Sequence, residues 1–381
     1  MTRLRLDEEQ AVAQALVVGG TGPTGPHVVN GLLARGYEVT ILHTGRHESP
    51  DVPDSVVHLH TDPFDHDASS TALADASFDL GVVMYGRLRM LAPLLQGKVG
   101  RLVTIGGVGA VQGWVDPRDL FPTSMTVPAP VDAPLAGADE PIGKIRRIVA
   151  TEETVFEHHP HAVHLRYPML YGPRQLIPRE WPFIRRALDR RPTLIVGDGG
   201  LTLKSASYVE NAAHAVLCAV DRADAGAGRI FNVTDTRALT LRQIAEVVAD
   251  ELDHRFEFVN LPYELAAPAR PTVMHWSSGH RVVNTSELSS ILGYHDVVEP
   301  EEGLRRTVRW LVDHPPTPAN EALLQDPFDY EAEDELIRRW RNAVAAFEPP
   351  TFASEPGYGA AYYGRDPNPA TGTSRVEPVE R

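Results

Sequence analysis

The chain has 381 residues, 43% of them apolar, with 36 basic and 51 acidic side chains and a formal net charge of −15. That length exceeds one small domain and fits one large α/β unit with an annex, or two domains. A surface this acidic opposes sequence-independent binding to nucleic acid or anionic membranes, which both rely on clustered cations.

The chain begins with a polar stretch that has no signal-peptide core, and no apolar run reaches the length of a membrane span. Residues 16–18 then read as a buried strand, followed by Gly19-Gly20-Thr21-Gly22-Pro23-Thr24-Gly25 and a helix over 26–34. Gly19, Gly22 and Gly25 make a G-x-x-G-x-x-G turn between strand and helix, which is the context a dinucleotide site requires. One glycine turns the chain, one admits the pyrophosphate to the backbone, and one lets helix and strand pack closely. The helix start offers N–H groups and a positive dipole end to phosphates. Gly19, Thr21, Gly22, Pro23, Thr24 and Gly25 are therefore the candidate cofactor-binding residues.

Residues 38–43 (EVTILH) form the second strand. An acid at the end of this strand would bond the ribose hydroxyls of NAD(H). Here His43-Thr44-Gly45-Arg46 follows, with no acid before Glu48. Arg46 is placed to meet a 2′-phosphate through a charge-assisted contact, so NADP(H) is favoured over NAD(H).

Strands are predicted at 56–60, 78–85 and 100–105, with a helix at 88–95 between the last two. The alternation predicts a doubly wound parallel sheet of the Rossmann type. Residues 113–141 carry six prolines (117, 122, 128, 130, 134, 141) and cannot be one regular element. A helix over 144–158 leads to a strand at 162–166. The second half mixes helices near 181–189, 208–220, 241–252, 287–292 and 301–312 with strands near 194–196, 229–233 and 256–261. The single cysteine, Cys218, lies in an apolar helical run and reads as a core residue; with no disulfide framework, a reducing cytoplasmic setting is expected. Residues 12–170 with about 208–240 are expected to form the dinucleotide-binding domain. Residues 171–207 and 241–348 would form a smaller C-terminal α/β substrate domain, and 349–381 a tail rich in proline and glycine.

The order of motifs resembles the extended short-chain dehydrogenase/reductases, the NAD(P)-dependent epimerase/dehydratase group. It is carried by the glycine turn, Thr61-Asp62, Leu165-Arg166-Tyr167-Pro168, Tyr171-Gly172-Pro173, Gly197-Asp198-Gly199, Tyr208-Val209-x-Asn211 and Phe231-Asn232-Val233. The resemblance covers roughly residues 14–313. It implies cofactor contacts from Asp62 (to the adenine amino group) with Pro63, from Gly106, and from Tyr167, Pro168 and Met169 beside the nicotinamide. It also implies a homodimer through helices at about 88–96 and 144–158.

The family's catalytic pair, Tyr-x-x-x-Lys, is absent from this chain, and no hydroxyl stands in Gly106-Gly107-Val108-Gly109-Ala110-Val111-Gln112 after the fifth strand. A phenol of ordinary pKa near 10 needs that lysine to act at neutral pH. The Gly143-Lys144 pair and Glu180-Trp181-x-Phe183 further resemble an atypical branch that includes the chloroplast stem-loop-binding proteins. Lys144 is the candidate for holding the cofactor ribose or moving a proton. Tyr85, at the end of the fourth strand, is the other catalytic candidate. Arg185, Arg186, Arg190 and Arg191 could receive a substrate phosphate or carboxylate, or form a solvated helix face. His275-Trp276 could wall a substrate pocket.

No metal ligands are assigned. His158, His159, His161 and His164 diverge around a helix end, and His60, Asp62, His66 and Asp67 read as a loop with one adenine-binding acid. The sequence thus points to an NAD(P)(H)-binding oxidoreductase or epimerase-like enzyme with a small organic substrate. The alternatives are a catalytically silent dinucleotide-binding sensor or assembly protein, and an RNA-binding relative, which the charge opposes.

Overall fold

A computed structural model describes residues 12–46, 48–84, 88–118 and 120–353. Its strands are β1 (Gln14–Val18), β2 (Glu38–His43), β3 (Val57–His60), β4 (Phe78–Val83), β5 (Val99–Gly107), β6 (Val163–Tyr167), β7 (Met169–Tyr171), β8 (Thr193–Gly197), β9 (Ala206–Tyr208), β10 (Arg229–Asn232) and β11 (Glu257–Leu261). The first helices are α1 (Gly25–Leu33), α2 (His66–Ala72), α3 (Leu88–Leu95), α4 (Gly143–His158), α5 (Trp181–Leu188), α6 (Val209–Asp221) and α7 (Ala223–Gly226). They are followed by α8 (Leu241–Glu251), α9 (Arg270–Val273), α10 (Ser286–Leu292), α11 (Pro300–Asp313), α12 (Pro318–Ala322) and α13 (Tyr330–Ala345).

Seven strands form one parallel sheet in the order β10-β6-β5-β4-β1-β2-β3. Side chains alternate faces along a strand, so a sheet covered on both sides needs apolar residues at every position. β1 does this. Ala15 and Val17 join a core with Val28, Val29 and Leu32 of α1 and Val216 and Val220 of α6. Leu16 and Val18 join a second core with Leu88, Leu91 and Leu95 of α3 and Val155 of α4. Cys218 is buried on α6, and burial pushes its thiol up to about 11, as suits a packing residue rather than a nucleophile. The expected doubly wound sheet is present.

The chain leaves β1 toward β2 and β3 on one side and returns to β4 on the other. The carboxyl ends of β1 and β4 therefore flank the crevice at which open α/β sheets place ligands. Val18, the last residue of β1, is in register with Leu42 of β2 and Val83 of β4, so the glycine turn emerges at that crevice.

A smaller α/β part follows, with parallel pairs β7–β9 and β8–β11. Its core joins Trp181, Phe183 and Ile184 of α5 to Val248 of α8 and Leu304, Val308 and Leu311 of α11. α8 begins with a capping box, the Thr240 hydroxyl accepting from the Gln243 amide and the Gln243 side chain accepting from the Thr240 amide. The described residues of 113–141 hold no helix or strand beyond isolated bridges, as their prolines require. This segment is tied down by backbone bonds, among them Ala129 N–H to Val282 O at 2.7 Å and Ala136 N–H to Ala110 O at 2.8 Å.

Two arginines of the basic run, those on α5, depart from both expectations. Arg186 is buried, and its guanidinium pairs with Asp326 at 2.7 Å and with Glu333. Arg185 pairs with Asp189 and Glu321. Arg185 and Arg186 clamp residues 321–333 onto α5, whereas Arg190 is exposed and donates to Asp253 O at 3.0 Å.

Residues through Glu333 form one compact unit and those from Asp334 a second. Among the described residues no helix is long and apolar enough to cross a membrane.

Candidate functional site

The glycine turn divides its labour among three residues. Gly19 has φ +91°, a left-handed backbone that a side chain would strain. Its N–H bonds Leu42 O at 3.2 Å, which anchors the turn to β2. At Gly25 a Cβ would lie 2.3 Å from the carbonyl carbon and oxygen of Gly20, so only glycine lets α1 begin there. Gly22 is different. A Cβ there would meet nothing closer than Gly19 O at 3.6 Å, an ordinary contact. The protein's own packing does not require glycine at this position. Thr24 is buried and caps α1 without a side-chain hydrogen bond to its amides; its hydroxyl lies 3.7 Å from Met84 Sδ. Thr21 and Pro23 are half-buried beside Gly22, and α1 has no acid in its first turn to oppose an anion.

At the end of β2, Arg46 is exposed. Glu48, the first acid after the strand, faces imidazoles. Its carboxylate lies 3.2 Å from His60 Nε2 and 3.4 Å from His58 Nδ1. Asp62 is exposed after β3 and accepts the Phe64 amide at 3.0 Å, while Pro63 is buried.

Gly106, near the end of β5, is explained by a neighbour. A Cβ there would stand 2.3 Å from His164 Nε2, so the glycine makes room for that ring. Thr104 bonds His164 Nδ1 at 2.8 Å inside the sheet. His164 is wholly buried, and burial with the nearby Arg166 charge brings it down to about 3, so it is neutral in the fold. Arg166 reaches Glu152 of α4 through two 2.8 Å bonds, and donates to Val131 O at 2.7 Å. This buried pair fixes α4 and the 113–141 segment against the sheet. Lys144 stands exposed in the first turn of the same helix.

Tyr167 is buried and donates its phenol proton to Ala212 O at 2.7 Å. Burial raises its pKa above the ordinary phenol range. Pro168 is buried beside it and Met169 is half-buried. Tyr171 donates to Asp235 at 2.6 Å, and burial with that carboxylate raises it too. Neither phenol is an acid or base at neutral pH. Tyr85 lies outside the described residues.

The C-terminal part contributes a site that the sequence reading missed. A small cavity of about 40 Å³ is lined by Tyr171, Glu180, Lys204, Asp235, Ile244 and Leu304, among others. Burial, then repulsion from Arg179 and Arg281, depresses the Lys204 ammonium well below its usual range. Burial brings the Arg179 and Arg281 guanidiniums down to about 10. Burial and these three cations bring His275 down to about 2. The two carboxyls that line the cavity, Glu180 and Asp235, are themselves raised by burial. The Nε of Arg179 and Nδ1 of His275 are buried without a hydrogen-bond partner. A desolvated positive cluster of this kind is costly unless an anion neutralises it. Trp276, in contrast, is exposed. A lone lysine in a loop carries no pattern, and only the fold brings it beside two distant arginines.

No family model matches the chain. It is 26% identical over 339 residues to the UDP-N-acetyl-alpha-D-glucosaminuronate decarboxylase of Bacillus cytotoxicus, covering 78% of this chain and 97% of that protein. It is 26% identical to a 3-diazoavenalumate denitrifying reductase of a Streptomyces species, covering 71% and 90%. The match to the Escherichia coli protein YbjS, also 26%, spans 39% of this chain and only half of that protein. Among solved structures, the UDP-glucose 4-epimerase of Thermotoga maritima with UDP-glucose aligns with a TM-score of 0.61 at 19% identity, covering 79% and 99%. WbmG of Bordetella bronchiseptica in complex with NAD aligns at 0.60 and 17%, covering 81% and 97%. The fold is thus the doubly wound Rossmann architecture with a C-terminal α/β annex that these proteins share.

Proposed function

We propose that the chain is a nicotinamide-dinucleotide-dependent enzyme, an oxidoreductase or epimerase/dehydratase-like catalyst, acting on a small organic substrate that carries an anionic group. The observation that carries this reading is Gly22. Gly19 and Gly25 are required by the fold itself, whereas Gly22 is dispensable to it, and a ligand backing directly onto the main chain accounts for the missing side chain. The similar proteins named above include a reductase, and an epimerase and decarboxylase named for UDP-linked sugars.

When bound, the dinucleotide supplies a hydride donor or acceptor at its nicotinamide C4. The residues of the chain would do the rest. The turn from Thr21 to Gly25 and the start of α1 would hold the pyrophosphate, Asp62 and Pro63 the adenine, and Pro168 and Met169 the nicotinamide side. Arg46, exposed after β2, favours NADP(H), since the nearest acid is engaged by imidazoles. Lys144 would hold the ribose or carry the proton. Lys204, which lines the cavity, would meet a phosphate or carboxylate of the substrate, a role supported by its desolvation and by repulsion from Arg179 and Arg281.

The test is titration of the purified protein with NADPH and NADH, followed by turnover on a panel of UDP-sugars and simple carbonyl compounds. Gly22→Asp places a carboxylate against the pyrophosphate and should abolish binding of both cofactors. If both bind the variant as they bind the parent, this reading of the turn is wrong. Lys144→Ala should lower kcat while the protein stays folded.

A further inference from the structure

A second cluster of functional side chains lies at the carboxyl ends of β2 and β3, and the reading above assigns its imidazoles no chemistry. His43 is the last residue of β2, and His58 and His60 stand two apart on β3. Parallel pairing sets His43 opposite His60 and Ile41 opposite His58. Residues two apart on a strand share a face, so the pairing gathers three imidazoles on one side of the sheet edge. The ring centroids of His43 lie 5.0 Å from those of His58 and 4.9 Å from those of His60, and each pair meets edge to face. Gly45, at φ +69°, turns the chain just beyond β2, and a Cβ there would press on the His60 ring at 3.2 Å. The loop then brings Glu48 back over the three rings.

The donor atoms converge. His43 Nε2 is 2.9 Å from His58 Nδ1. The Glu48 carboxylate lies 3.2 Å from His60 Nε2, 3.4 Å from His58 Nδ1 and 3.8 Å from His43 Nε2. One donor atom from each of the four residues falls within 4.8 Å of all the others. A tetrahedral zinc ion with bonds of about 2.0–2.1 Å sets its ligands roughly 3.3–3.4 Å apart. The observed spacings bracket that value. A proton-linked cluster explains the arrangement less well, because three imidazoles facing one another share one carboxylate. A neutral imidazole is the form that binds a metal. His43 is buried at the base, while His60 and Glu48 are about half exposed, which leaves an entry path from solvent.

We propose that His43, Glu48, His58 and His60 form a binding site for a borderline divalent transition-metal ion, Zn²⁺ foremost, that pins the β2–β3 loop. Three imidazoles and one carboxylate suit zinc, and suit neither calcium nor magnesium, which take mainly oxygen ligands. With all four positions filled by the protein, the site is of the closed, structural kind. The proposal does not depend on any dinucleotide.

The test uses the full chain without a polyhistidine tag, stripped with a chelator and dialysed against Zn²⁺. One equivalent should remain per chain, and thermal unfolding should move to higher temperature. Co²⁺ in its place should give the intense visible absorption of a tetrahedral site. His58→Ala/His60→Ala, changed together at the sheet edge, should lose the bound equivalent and the Zn²⁺-dependent shift while matching the parent's circular dichroism. A wild-type chain that retains less than about a fifth of an equivalent, or a double variant that still binds one, would overturn the proposal. If the double variant misfolds, Glu48→Gln in the exposed loop serves instead: it should weaken Zn²⁺ binding at least tenfold, and unchanged affinity would overturn the proposal.

Discussion

Two alanine substitutions in one turn separate a residue kept for the fold from a residue kept for a ligand. In Gly25→Ala the new Cβ would stand 2.3 Å from Gly20 C and O and 2.8 Å from its Cα, all main-chain atoms that cannot rotate away. Carbon contacts normally settle at about 3.5–4.0 Å, so α1 or the turn must shift by about an ångström. Overpacking of this kind costs about 1–3 kcal/mol. With an unfolding entropy of about 2.1 cal/mol/K per residue, a body of roughly 320 residues loses about 1.5 °C per kcal/mol, so Tm should fall by about 2–4 °C. In Gly22→Ala the nearest atom is 3.6 Å away and no left-handed backbone is involved. The only expected effect on stability is a gain of about 0.4–1 kcal/mol from a stiffer unfolded chain. Its methyl group would nevertheless stand where the pyrophosphate must approach. Affinity for NADPH should drop at least tenfold, about 1.4 kcal/mol. The assays are calorimetric unfolding and nicotinamide fluorescence titration on the same preparations. If Gly22→Ala binds the cofactor like the parent, or loses as much Tm as Gly25→Ala, the division of roles is refuted.

Arg46→Ala should weaken NADPH at least tenfold and leave NADH unchanged in the same titration; equal effects on both would remove the argument for NADP(H). Arg186→Met leaves the buried Asp326 and Glu333 carboxylates unpaired and should cost about 3–5 kcal/mol by urea unfolding, whereas a solvated arginine would cost almost nothing. His164 has a folded pKa of about 3 against 6.5 when unfolded. The unfolded chain therefore takes up this proton first as pH falls. The contribution of His164 is complete above pH 6.5 and is lost progressively toward pH 3. Between pH 6.5 and 5 the loss is about 2 kcal/mol. Urea unfolding at pH 7 and 5 should show it, and His164→Gln should flatten the slope by about one proton; an unchanged slope would contradict a neutral buried imidazole.

Much of the fold was legible because it is written locally. The β1 run, the glycine turn and the start of α1 are contiguous, and Gly22 and Gly25 meet main-chain atoms within five residues. The Thr240–Gln243 capping box and the prolines of 113–141 likewise act at short range. The absence of Tyr-x-x-x-Lys is also a property of the sequence alone, since a four-residue spacing needs no fold to be read.

The candidate site beyond the turn was decided by long-range packing. Arg186 read as a solvated or substrate-facing charge, because nothing near it in sequence announces Asp326 and Glu333, 140 and 147 residues onward. Lys204 feels the charges of Arg179 and Arg281 only in the folded chain, since repulsion between cations depends on distance in space. His60 was grouped with Asp62, His66 and Asp67, its neighbours along the chain. The parallel register of β2 and β3 instead gives it His43 and His58, with Glu48 returned by the turn at Gly45. Sequence alone determined the strand, glycine turn and helix start on which the dinucleotide proposal rests, because the three are consecutive. Which charges are buried, and which imidazoles share a face, was left to the tertiary structure, because strand register and helix packing join residues whose separation along the chain carries no pattern.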